Sequence, residues 1–406
     1  MPGKIRASRF EKALERGLAV PIGTAGKQRS AARRKDASQL LREAYARLKD
    51  HPELRRAAPD GAITYSDPIL AVAASWGGIA EDIATASVEG ADLTESSIWR
   101  WAVTGVQAWI NRGDKGMSEL AAQVPTRTIN INKDVARIAV VGDAGYRGVP
   151  QQRVIDMIRD VHQRYPFDLI VHLGDTYFSA GEAEVLRHLL VPFSAINAPF
   201  VTLCGNHDLY HGPDGYLAAL KILKQPGRYF SIKTPHWRIA ALDTSFGSSR
   251  ILRNDGKLDA RQLEWLKDLL ISRAKSGLIL MSHHFIISGW DEPAETLRLQ
   301  LEQLVRGRVF AWYWGHEHRC AYYNKGKWDF YGASVGNGAF LEKWSDSTRS
   351  ETPATWYGGK ARCSCPGIEK KMYWPHGFVE LELRKNRVKE TYHLEGCRAR
   401  VRELAA

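Results

Sequence analysis

Five short segments carry side chains that bind divalent cations or phosphate: Gly142-Asp143-Ala144-Gly145, Gly174-Asp175-Thr176-Tyr177, Gly205-Asn206-His207-Asp208, Ser282-His283-His284 and Gly315-His316-Glu317-His318. Carboxylate, amide and imidazole together suit a pair of divalent ions, and two such ions can stabilise both the entering and the leaving oxygen in an attack on phosphorus. Taken singly, each segment has a plainer reading. Gly-Asp after an apolar run is a common turn, Asn206 or Asp208 would serve as a helix N-cap, and a histidine ending a strand, as His283 does, is more often a hydrogen-bonded core residue than a ligand. Five such segments in one chain weigh against five coincidences.

The residue types suggest roles. Asp143 and Asp175 would repel if brought together without a cation, so an ion bridged by Asp175 is the economical explanation of the pair. Asn206 offers a neutral amide oxygen. His207 suits proton donation or a phosphate contact, and Asp208 beside it can fix the ring's tautomer or raise its basicity. Consecutive side chains alternate along a strand, so His283 rather than His284 should enter the site, whereas His316 and His318, two apart, share one face.

Such groups need a frame, and the chain supplies one. Apolar runs at 136–141, 169–173, 200–203, 239–242, 278–281 and 309–314 read as buried strands, and amphipathic segments at 151–165, 182–190, 259–273 and 294–306 as helices, with Asp259 as an N-cap. This alternation predicts the α/β class, with helices covering a sheet and functional residues just beyond the carboxyl ends of the strands. Every segment named above sits at such an end. Residues 340–375, rich in Trp, Gly, Ser and Thr, read as an inserted loop, and 378–383 with 388–394 as an antiparallel pair turning near Lys385-Asn386. The predicted catalytic domain spans 134–395.

Ahead of it, residues 1–35 form a basic flexible arm and 36–130 a mostly helical region, with helical periodicity over 37–48 and 95–109. Residues 1–60 hold 15 Lys or Arg against 7 Asp or Glu, which is most of the formal charge of +12. An excess so placed leaves nucleic acid open as a partner, although a solvated tail is the commoner meaning of such clusters. The cysteines Cys204, Cys320, Cys363, Cys365 and Cys397 are odd in number and sparse, and no apolar run reaches the roughly 18 residues of a membrane span. A soluble, cytoplasmic protein is expected. Arg147, Arg250, Arg253 and Arg319, near the segments, suit phosphate recognition but read first as surface charges.

In order and spacing the five segments resemble the calcineurin-like metallophosphoesterase superfamily over residues 138–318. The resemblance implies a layered β-sandwich flanked by helices and two divalent metal ions (Mn, Fe or Zn). One ion would be held by Asp143, Asp175 and His318, the other by Asp175, Asn206, His283 and His316. His207 would contact phosphate and leaving group with Asp208 behind it, and Asn206, Tyr146, Arg147 and Tyr177 would be further substrate contacts. Two positions depart from the pattern. Gly145 stands where many members carry a His ligand, as in the Gly-Asp-x-Gly version of the purple acid phosphatase branch. That branch carries Tyr where this chain has Phe178, with Tyr177 one place early. The first site is therefore expected to lack a side-chain ligand, its place taken by water or Tyr146, and ferric chemistry is not expected.

The resulting expectation is a metal-dependent phosphoester hydrolase, a phosphatase or phosphodiesterase, in which a metal-bridging hydroxide attacks phosphorus and His207 assists the leaving group. Two readings stay beside it. One is a nuclease that holds nucleic acid with the basic arm. The other is a catalytically weak metal-binding or recognition module, with tryptophans of the N-terminal region such as Trp99 or Trp101 as contact residues.

Overall fold

The computed structural model describes residues 128–406, apart from 147, 178–179, 181–183, 210–212, 248–255, 272–276, 341, 343–351 and 359–373, together with the two short strands β1 (Arg56–Ala57) and β2 (Ile63–Thr64). The chain divides into two compact units, Met1–Gly113 with Tyr210–Gly212 and Asp114–Leu209 with Pro213–Ala406. In the first, β1 and β2 pair antiparallel. The predicted arm at 1–35 and the helical segments at 37–48 and 95–109 lie outside the described residues.

The second unit is a sandwich of two sheets. Its smaller sheet is centred on β4 (Ala136–Val141), β5 (Leu169–His172) and β6 (Phe200–Thr202), which run parallel, and it is extended antiparallel from β4 by β14 (Gly377–Arg384), β15 (Arg387–Leu394) and β16 (Arg400–Ala405). The larger sheet contains β3 (Thr128–Asn130), β7 (Phe230–Lys233), β8 (Arg238–Ala241), β9 (Leu278–Ser282), β10 (Val309–Trp314), β12 (Tyr331–Val335), β11 (Cys320–Tyr323) and β13 (Trp356–Tyr357), in that spatial order. The strands β8, β9, β10 and β12 are parallel, so their carboxyl ends face one way.

Period-two alternation explains the layers. Ile138 and Val140 of β4 pack into the core between the sheets with Ile279 and Met281 of β9, while their neighbours Ala139 and Val141 face the opposite side. There the apolar stripe of α1 (Val149–Arg164), Val154, Ile155, Ile158 and Val161, covers the smaller sheet together with Phe193 of α2 (Val191–Ser194). On the far side, Leu278 and Leu280 meet Leu266 and Leu270 of α4 (Ala260–Ile271) and Leu297 and Leu301 of α5 (Glu295–Val305); α3 (Asp214–Ile222) completes the helices. Strands buried on both faces read as continuous apolar runs, which is why they were legible. Each fully buried aliphatic side chain contributes about 1.5–3 kcal/mol.

The layered α/β sandwich matches the expected class, and several details differ. Residues 185–190 form a π-helix running into α2, rather than an α-helix over 182–190. Sequence reading missed β3, β7, β11, β12 and β16, the last carrying the sheet past residue 395. Asp259 is the predicted cap: its Oδ1 accepts the Gln262 N–H at 2.9 Å. The inserted segment returns to the sheet, since Trp356–Tyr357 pairs antiparallel with β11. Cys204 and Cys320 are free and buried, and Cys397 is disulfide-bonded. Among the described residues no helix is long and apolar enough to cross a membrane.

Candidate active site

The turns after β4, β5, β6, β9 and β10 meet at one end of the sandwich. Asp143, Asp175 and His316 adopt positive φ values of 57°, 73° and 64°, a left-handed conformation uncommon outside glycine and concentrated at functional sites. Tertiary hydrogen bonds hold these turns. The Asp143 N–H donates to Gly174 O at 3.0 Å, the His316 N–H to Asp143 Oδ2 at 2.7 Å, and the His207 N–H to Asp175 Oδ1 at 2.9 Å. Gly145 lets the first two turns touch: its N–H donates to Asp175 O and its carbonyl accepts the Tyr177 N–H, and a Cβ there would lie 2.6 Å from Asp175 O.

All six predicted ligands converge. His283 Nε2 lies 3.0 Å from Asn206 Oδ1, 3.0 Å from His316 Nδ1 and 3.5 Å from Asp175 Oδ1, and His318 Nε2 lies 3.4 Å from Asp143 Oδ1. Asp143, Asp175, Asn206 and His283 are all buried. A seventh group joins them. The Tyr177 hydroxyl is 2.8 Å from Asp143 Oδ1, 3.1 Å from Asp175 Oδ2 and 2.9 Å from His318 Nε2, so it stands among all three groups expected at the first ion.

The electrostatics favour a cation. Burial alone would raise Asp143, but hydrogen bonding and charge from His318 hold it below the usual carboxylate range; Asp175 is pushed well up by burial and then by Asp143 and Asp208. His318 is moved up to about 10, because the carboxylates of Asp143 and Glu342 outweigh its burial. His283 is driven well below its ordinary value by burial and by His316 and His284, and burial lowers His316 to about 4, so both imidazoles are neutral and able to ligate. Among the described residues no Lys or Arg pairs with Asp143 or Asp175; their close basic neighbours are the imidazoles of His318 and His283. Buried paired carboxylates facing neutral imidazoles and an amide oxygen are a donor set that divalent metal ions fit.

Several sequence expectations change. Asp208 has a backbone role besides any toward His207: its carboxylate accepts the N–H groups of Asp175, Thr176 and Gly205 at 2.9, 3.0 and 2.8 Å and so ties the second turn to the third. His207 is half-buried, its ring 4.4 Å from that of Tyr177. His284 is buried with Nδ1 2.9 Å from Thr244 Oγ1, yet one ring nitrogen stays within 4.8 Å of those of His283 and His316, nearer the site than strand alternation suggested. The hydroxyl that reaches the first ligand set is that of Tyr177, and Tyr146 is a buried neighbour whose ring lies edge-on to it at 6.1 Å. Arg319 is no surface charge: it is buried, 2.7 Å from Asp291 and 3.1 Å from Glu342. Arg147, Arg250 and Arg253 lie outside the described residues.

Supporting residues were not visible beforehand. The π-helix presents His188, whose Nδ1 lies 2.7 Å from Tyr177 O, and Gln151 of α1 bonds both Ala144 O and His188 O. Buried His172 accepts the Ala144 N–H on Nε2 at 3.3 Å while Nδ1 meets Thr202 Oγ1 at 2.9 Å. Phe340, from the inserted segment, lies 4.4 Å from the His318 ring and 4.5 Å from Tyr177. Tyr177, expected from the sequence as a substrate contact, lies instead against the groups expected at the first ion.

Comparison with known proteins agrees with this geometry. Residues 136–320 match the family described as calcineurin-like phosphoesterase. A probable cyclic nucleotide phosphodiesterase of Psychrobacter arcticus is 29% identical over 126 residues, covering 29% of this chain and 43% of that protein, so the chain spans less than half the length of that relative. Among solved structures, GAP50, the anchor in the inner membrane complex of Plasmodium, superposes with a TM-score of 0.51 at 15% identity, over 67% of this chain and 89% of that one. A dimetal phosphatase from Danio rerio gives 0.48 at 13% identity over 66% and 99%. Over residues 136–320, which hold all five motifs, this chain is similar to the calcineurin-like phosphoesterases.

Proposed function

We propose that the protein is a dimetal phosphoester hydrolase acting on phosphodiesters or phosphomonoesters. The observation that carries this reading is the convergence of Asp143, Asp175, Asn206, His283, His316 and His318 at one end of the sandwich, with two buried carboxylates that lack a Lys or Arg partner among the described residues. Asp143, Asp175, His318 and Tyr177 would hold one divalent ion, and Asp175, Asn206, His283 and His316 the other. Two ions bound there would supply Lewis acidity at phosphorus and lower the pKa of a water between them. Mn, Fe or Zn suits the carboxylate and imidazole donors.

The protein's own part is positional. Asp208 fixes the backbone around Asp175, Gly145 brings the first two turns into contact, and the half-buried imidazole of His207 would give a proton to a departing alkoxide. The diester side of the proposal draws support from the phosphodiesterase relative, which covers too little of either chain to fix a substrate. A catalytic domain over 134–395 and use of the basic N-terminal residues toward nucleic acid are parts of the same proposal.

Metal analysis joined to two substitutions tests it. Wild-type protein should hold two ions and hydrolyse an aryl phosphate mono- or diester. Asp175→Ala should lose metal and activity together, and His207→Ala activity alone. Wild-type protein that holds no more than stray metal, and turns over neither ester with Mn, Fe or Zn supplied, would return the chain to the recognition reading. A shared fold does not exclude that outcome, since one neighbour is described as an anchor.

A further inference from the structure

The first ligand set has a neighbour from an unexpected part of the chain. His318 turns Nε2 toward Tyr177 and Asp143, and its other nitrogen, Nδ1, lies 3.6 Å from Glu342 Oε2. Glu342 belongs to the inserted segment, beyond the last of the five motifs. It is fixed from several directions. Its Oε1 lies 3.1 Å from Arg319 Nη2, and its backbone carbonyl accepts the Trp374 N–H at 2.9 Å, which closes the two described ends of the insertion on each other. Arg319 is itself held by Asp291 at 2.7 Å, with its guanidinium 5.5 Å from the Trp290 ring and 5.9 Å from Trp374. Phe340, two residues earlier, covers the His318 ring at 4.4 Å.

We propose that Glu342 is a positioning residue for His318, so that the inserted segment sets how firmly the first ion is held. A carboxylate facing Nδ1 keeps a proton on that nitrogen and leaves the Nε2 lone pair directed at the metal position, the arrangement by which an outer carboxylate orients a histidine ligand and raises its basicity. Arg319, next in sequence to His318, holds Glu342 in register. Phe340 limits rotation of the ring. Among the described residues, the hydrogen bonds of the His283 and His316 rings go to Leu173, Asn206 and each other rather than to the insertion. This inference rests on the two-ion reading given above.

Its test is a calorimetric titration of the metal-free, full-length protein with Zn²⁺ or Mn²⁺. Asp143→Asn identifies the first site, as the binding step that this substitution removes. Glu342→Gln, which keeps size but loses charge, should weaken that step by about ten- to a hundredfold and leave the other step within error, and Glu342→Asp should recover part of the loss. Unchanged affinity for both ions in Glu342→Gln overturns the proposal. So does equal weakening of both steps with a lowered melting temperature, which would make Glu342 a structural residue only. Failure of the two-ion reading would look different, because the wild-type protein would then take up no pair of ions before any substitution was made, and the inference would fall with it.

Discussion

The Tyr177 hydroxyl lies 2.8 Å from Asp143 Oδ1, although the two residues come from turns after different strands. Neighbouring donor atoms around one divalent ion with bonds of roughly 2.0–2.2 Å stand about 3 Å apart, so under the proposed two-ion reading the phenol would be within reach of the first ion. It would then take the place for which Gly145 and Phe178 supply no ligand.

Tyr177→Phe keeps the ring packed against Phe340 and His207 and removes only the oxygen. First-site affinity should fall on the order of tenfold, the scale seen when a group ordering a metal shell is lost, while the second site is unaffected. Equilibrium dialysis with metal quantification reads this directly. Two ions retained at wild-type affinity would reduce Tyr177 to a packing residue.

Asp208→Asn keeps shape but loses the charge and replaces one oxygen with a donor, in a place where three backbone N–H groups need acceptors. Leaving a buried N–H unsatisfied costs about 1–3 kcal/mol. Denaturant unfolding should show a loss of that size, and the affinity for both ions should drop because Asp175 is common to both sets. A variant with normal stability and metal content but slow turnover would instead place Asp208 in proton transfer.

Gly145→Ala forces a methyl into the junction of the first two turns, 2.6 Å from Asp175 O and 2.6 Å from Thr176 Cα. Overpacking of this kind costs about 1–3 kcal/mol. The melting temperature should fall and metal be lost with it. Gly145→His, which imports the ligand that other relatives carry, should fare no better, since its Cβ meets the same atoms; a stable variant with improved metal binding would refute this account of the glycine.

Burial depresses His172 to about 4, with the charge of Asp143 opposing. The sign follows from linkage. A histidine whose folded pKa lies below its unfolded value of about 6.5 favours the folded state when neutral, so its contribution is intact above pH 6.5 and lost as pH falls toward 4. The full effect is about 3 kcal/mol. Thermal melts of metal-free protein between pH 7 and 4 should therefore show a steep acid limb, and His172→Gln should flatten it. An equally steep limb in the variant would assign acid lability elsewhere.

The strands at 136–141 and 309–314 were readable to the residue, because side chains buried on both faces leave an unbroken apolar run. The six residues proposed as ligands stand out in the sequence too, since each lies in a short motif at a strand end and its chemistry is local. Strands such as β7, β11 and β12 were not, because Ser231, Tyr322 and Ser334 owe their burial to neighbouring strands rather than to any pattern along their own.

Sequence alone thus determined the sandwich's principal strands and the types and order of the residues proposed to hold metal, which depend on composition and spacing within a few residues. Only the tertiary structure decided how those groups are completed. Tyr177 meets His318 across a separation of 141 residues, Asp208 gives its carboxylate to backbone amides of another turn, and Glu342 reaches His318 from an insertion with no periodicity to announce it. The physical reason is that a ligand's type is written in one residue, whereas its distance from a partner is fixed by how strands pair and sheets pack.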